Sequence, residues 1–152
     1  MVGFSLPVFA LSFFAIAAVA FIVVSVRRRR IVREARAKVL GGNWIQVQDL
    51  AANFMDKNGK YQQEDGPGCY IILVFDHEVT DGDFGDYREV YVGKAAKAYE
   101  GACSRIAQMA PEKGTLVNDD GSCYTYVQAR FYDEKQLKSK EHTLADLMKR
   151  KR

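Results

Sequence analysis

Cys69-Tyr70-Ile71-Ile72-Leu73-Val74-Phe75 is an unbroken apolar run, bounded by the turn residues Asp65-Gly66-Pro67-Gly68 and by the acidic, glycine-containing stretch Asp76–Asp86. It has the length of a strand and is too short for a helix. It also lacks the polar alternation of a half-exposed strand, so it predicts a central strand buried on both faces. Arg88–Val92 is a second short strand, close enough in sequence to pair with the first as an antiparallel hairpin across the acidic loop. Apolar residues at Ala98, Ala102, Ile106 and Met109 predict a helix over Ala95–Met109, weakened slightly by Gly101, with a loop over Pro111–Gly121. Cys123–Tyr132 alternates as a third strand. Asp133 is placed to cap a final helix through Met148. The order strand, strand, helix, strand, helix predicts an α+β domain: a small three-stranded antiparallel sheet flanked by helices.

Upstream of this domain, Trp44, Ile45, Val47, Leu50, Ala51 and Phe54 have mostly helical spacing, which predicts a short amphipathic helix over Asn43–Met55, followed by a turn at Asp56-Lys57-Asn58-Gly59. Arg27–Leu40 reads as a helix ended by Gly41-Gly42. Phe4–Val26 carries no charge. At ~1.5 Å per residue such a helix would reach about 34 Å, enough for a bilayer core of about 30 Å. Positive charge follows the run instead of preceding it, at Arg27–Arg30, Arg33, Arg36 and Lys38. That pattern predicts one transmembrane helix rather than a cleaved signal, with the N-terminus outside and the C-terminal domain cytoplasmic. Arg27–Arg30 would attract anionic lipid headgroups. The expected division is residues 1–26 as transmembrane anchor, 27–65 as basic juxtamembrane and connecting helices, and 66–152 as the folded domain.

The net charge of +3 conceals an uneven distribution. Residues 27–38 sum to +6 and 149–152 to +4, which leaves −7 on residues 39–148. A protein that grips many phosphates ordinarily presents a basic face. The three cysteines, Cys69, Cys103 and Cys123, form no Cys-x-x-Cys pair, so they suggest neither a disulfide framework nor a zinc site. His77 and His142 lack ligand partners at useful spacing. The Asp81–Asp86 stretch misses the spacing of a calcium loop and reads as a hairpin connection.

Gly68-Cys69-Tyr70 and Tyr91-Val92-Gly93-Lys94-Ala95 each set a tyrosine beside a glycine, where backbone can approach a ligand closely. Together they resemble the two signature segments of the GIY-YIG nuclease family, and the second is similar to that of its excision-repair branch. The resemblance covers residues 66 to about 148 and implies the same α+β fold. It also implies an endonuclease that hydrolyses DNA phosphodiesters with Mg²⁺ or Mn²⁺. On that resemblance Tyr70 is the general base, Tyr91 shapes the site, and Lys94 lowers the pKa of Tyr70 or meets the phosphate. Arg105, the arginine on the following helix, binds the phosphoryl oxygens, and Glu141, ahead of Leu144 and Leu147, holds the metal. Two features depart from the family pattern. No asparagine follows Asn118, and the signature tyrosines are 21 residues apart, with the acidic loop between them. The alternatives are a catalytically degenerate module of the same fold that binds DNA or a protein partner, and a membrane-bound adaptor whose tyrosines are purely structural.

Overall fold

The computed structural model describes the backbone of residues 6–47, 49–50, 64–113 and 124–149, and the side chains of these except 6–14 and 110–113. The turn expected at 56–59 and most of the loop expected at 111–121 lie outside the described residues. The chain divides into two units, Met1–Lys38 and Val39–Arg152.

The described part of the first unit is helix α1 (Leu6–Leu40) as far as Lys38. From Arg27 onward the helix is heavily charged. Among the described residues no helix is long and apolar enough to cross a membrane. This overturns the expected transmembrane helix, and with it the single-pass placement with an outside N-terminus and a cytoplasmic domain.

In the second unit the elements are β1 (Ile45–Gln46), β2 (Gly68–Phe75), β3 (Glu89–Ala95), α2 (Ala98–Lys113), β4 (Tyr124–Phe131), a 3-10 turn (Glu134–Gln136) and α3 (Leu137–Met148). The sheet has four strands in the order β1-β4-β2-β3, every neighbouring pair antiparallel. The apolar run is central, as its composition predicts, with β3 on one side and β4 on the other. The expected three-stranded sheet gains a fourth strand where a helix was anticipated. Ile45 pairs with Val127 and Gln46 with Tyr126, and helical backbone appears only from Val47. Helical spacing and strand alternation compete in this stretch. Trp44 packs toward one face of the sheet and Ile45 toward the other, which is the period of a strand.

The same alternation divides the core. Cys69, Ile71, Leu73 and Phe75 join Tyr87, Tyr126, Leu144 and Met148 on the α3 face. Ile72 and Val74 join Ala102, Met109 and Val127 on the α2 face, with Tyr70 and Tyr91 packed against them. Helix α2 begins three residues later than predicted and runs past Pro111, which costs it one amide hydrogen bond in its last turn. Its first amides are capped from a distance, since Tyr99 N and Glu100 N donate to the Asp65 carboxylate at 3.0 Å each. Asp133 precedes the 3-10 turn but makes no side-chain cap, so that expectation is corrected. Instead α3 is tied at both ends: Cys69 Sγ donates to Leu137 O at 3.7 Å, and the buried Tyr87 hydroxyl donates to Met148 O.

Candidate active site at the β3 edge

Strand β3 lies at the edge of the sheet, and a cleft of about 560 Å³ wraps around it. Tyr70, Tyr91, Lys94, Arg105 and Glu141 all line this cleft. Strand parity explains how two faces contribute to one site. Tyr70 pairs with Gly93 in the β2–β3 ladder and faces α2, whereas Lys94 pairs with Cys69 and faces α3. Arg105 therefore reaches the cleft from one side of the sheet edge and Glu141 from the other.

Two glycines shape the seat of Tyr70. A Cβ on Gly93 would lie 2.3 Å from the Tyr70 ring carbon Cζ and from its hydroxyl oxygen. A Cβ on Gly101 would stand 3.2 Å from Cε1 on the other flank and 2.5 Å from the Ala95 side chain. Real carbons do not approach as closely as 2.3 or 2.5 Å, so the phenol fits only because Gly93 lacks a side chain, while at Gly101 an added carbon would collide with Ala95 and press tightly on the ring. Gly101, a weak helix residue by propensity, is placed by this packing.

Helix α3 repeats Leu137, Glu141, Leu144 and Met148 along one stripe, which brings Glu141 against the sheet beside core residues. There its Oε2 meets Lys94 Nζ at 3.1 Å, with the two side chains 27% and 40% exposed, respectively. Helix α2 presents Gly101, Ser104, Arg105 and Gln108 to the cleft at helical spacing, beside the buried stripe Ala98, Ala102 and Met109.

Both phenols are harder to ionise than an ordinary tyrosine. Burial pushes Tyr70 up, the Arg105 guanidinium works against that, and Glu141 adds to it. The cation acting on Tyr70 is thus Arg105 rather than Lys94, whose charge is engaged by Glu141. For Tyr91 the leading cause is a hydrogen bond: its hydroxyl donates to Glu89 Oε2, and burial adds to the effect. Glu89 also faces Arg88, Nε to Oε1 at 3.6 Å, and Arg88 Nη1 donates to Asp76 Oδ1 at 2.7 Å.

Among the described residues no group of three or more His, Cys, Asp or Glu side chains could hold a metal ion. Among the described residues Glu141 is the one carboxylate lining the cleft. Magnesium is commonly bound by one or two carboxylates with substrate phosphate and water completing its shell. The donor set therefore fits an ion that arrives with an anionic substrate, not one held by protein alone, and Lys94 would have to release Glu141.

No family model, no curated protein and no solved structure matches the chain. The reading of the cleft therefore rests on its own geometry. The sequence reading missed Glu89, Ser104 and Gln108. Strand period two places Glu89 on the face of Tyr91, and helix spacing from Gly101 and Arg105 places Ser104 and Gln108, so each left a signal. His142 is exposed and takes no part.

Proposed function

We propose that the cleft at β3 is a metal-assisted phosphodiester-cleaving site acting on DNA, of the GIY-YIG type. The observation that supports this reading is the convergence of Tyr70, Tyr91, Lys94, Arg105 and Glu141 on one cleft from two strands and two helices. Arg105 offers an exposed guanidinium whose fork suits two phosphoryl oxygens and the charge that builds on them. Lys94 is a second cation, freed for the phosphate when Glu141 engages a metal. A divalent ion at Glu141 would stabilise negative charge on the bridging or leaving oxygen. Tyr70, fixed between Gly93 and Gly101, lies where it can orient the attacking water.

A binding module without hydrolysis is the second reading. The Lys94–Glu141 pair favours it, because it occupies the one carboxylate that lines the cleft among the described residues, and so does the −7 charge of residues 39–148.

The test uses the purified full chain and supercoiled plasmid at low salt, with Mg²⁺ or Mn²⁺ against chelator. Metal-dependent nicking is expected, with Tyr70→Phe, Arg105→Ala and Glu141→Ala each losing about 10²-fold or more. A folded wild-type chain that retains DNA without cutting it would establish the binding reading instead.

A further inference from the structure

Hydrolysis requires a group that takes the proton of the attacking water, and the two cleft phenols are unequal candidates. A neutral phenol is no base, and at pH 7 an ordinary tyrosine is ionised in only about one molecule in a thousand. Burial makes Tyr70 worse than ordinary, and no hydrogen bond figures among the influences on it, which are burial, Arg105 and Glu141. Tyr91 differs in having a carboxylate two residues away on the same strand face, to which its hydroxyl already donates. A phenol hydrogen-bonded in this sense can accept a proton on its oxygen as it gives up its own.

We infer that Glu89 is a positioning residue that drains the site of its proton: the attacking water passes a proton to the Tyr91 oxygen while the Tyr91 hydroxyl proton moves to the Glu89 carboxylate. The inference rests on the proposed phosphodiesterase reading. The water oxygen forms the new bond to phosphorus. The bond from phosphorus to the departing sugar oxygen breaks, and that oxygen keeps the electron pair and takes a proton from solvent. Tyr91 ends protonated as it began, and Glu89 returns its proton to water.

The charges around Glu89 suit a transient acceptor. Arg88 stands beside it, itself held by Asp76, and Arg105 faces Tyr91 from α2. Across the ladder Glu89 pairs with the apolar Val74. Lys94 and Glu141 neutralise each other farther along β3. Arg105 serves both ends of the relay, since it lies near the Tyr91 oxygen and is also the guanidinium offered to phosphate.

The test compares the full chain with Glu89→Gln, Glu89→Asp and Tyr91→Phe in metal-dependent plasmid nicking at neutral pH. Glu89→Gln keeps an oxygen that can accept the Tyr91 hydrogen bond but cannot take its proton. Its kcat is expected to fall about 10²-fold at neutral pH, with KM for DNA unchanged because Glu89 does not touch phosphate. Glu89→Asp should recover part of the rate. A merely structural role would move KM with kcat. Ultraviolet titration of the tyrosines gives a readout independent of turnover. One phenol should ionise at lower pH in Glu89→Gln than in wild type, and that transition should vanish in Tyr91→Phe. Cleavage by wild type with Glu89→Gln equal in kcat would overturn the relay and leave the proposed function standing. A folded wild-type chain that cuts nothing would overturn the function and the relay with it.

Discussion

The two faces of the sheet are built from the same central strand and serve different ends. Toward α3, β2 contributes Cys69, Ile71, Leu73 and Phe75, none with measurable exposure. Phe75 meets Tyr126 and Phe84 edge-on, and Trp44 stacks on Phe84 at 5.4 Å. Toward α2 the apolar contact is narrower. Ala98 and Ala102 bring the helix close, and beside them the surface turns polar through Ser104, Arg105 and Gln108. The contrast teaches where the fold can tolerate chemistry. A dense aromatic face holds the sheet, so the β3 end of the other face can carry phenols and charges that contribute little to stability.

The comparison is broken most directly at Phe75. Phe75→Ala should cost about 3–5 kcal/mol, a large part of the 5–15 kcal/mol of a typical domain, read as a lowered urea midpoint. A loss under about 1 kcal/mol would mean the α3 face is not the foundation. Gly93→Ala comes next and acts on the opposite face. Its new methyl would overlap the Tyr70 ring, so about 1–3 kcal/mol is expected, with nicking lost because the ring must leave its seat. Tyr70→Ala in the same chain should restore part of that stability, since the two changes share one space. Simple additivity in urea melts would show that the glycine does not exist for the tyrosine.

The central strand was legible because its composition admits only a doubly buried strand. Helices α2 and α3 and strands β3 and β4 followed from their patterns, and the five cleft residues from a motif resemblance. What stayed hidden depends on partners distant in sequence. Ile45-Gln46 becomes a strand because β4 offers an edge there, and nothing within residues 43–55 announces that edge. Lys94 was expected to act on Tyr70, but strand parity turns it toward α3 and leaves that task to Arg105. Asp133 looked like a helix cap from its neighbours, yet the carboxylate that caps a helix is Asp65, more than thirty residues upstream of the amides it serves. The expected anchor is overturned, since among the described residues no helix is long and apolar enough to cross a membrane.

Asp65 yields the smallest predicted effect and the finest division between the faces. Its two oxygens accept from Tyr99 N and Glu100 N, and one of them also accepts from its neighbour Gly66 N. A carboxylate at a helix N-terminus also meets the positive end of the helix dipole. Asp65→Ala should therefore cost about 1 kcal/mol, far less than Phe75→Ala, since no core volume changes. Fraying would start at Ala98 and reach Gly101, one of the two walls of the Tyr70 seat, before it reached Arg105. Nicking should fall by a few-fold while the α3 face stays intact. Amide exchange can separate the two: protection in the first turn of α2 should drop, and that of Leu144 and Met148 should keep pace only with global stability. Equal loss on both helices would mean that the faces unfold as one unit, and the division drawn between them would not hold.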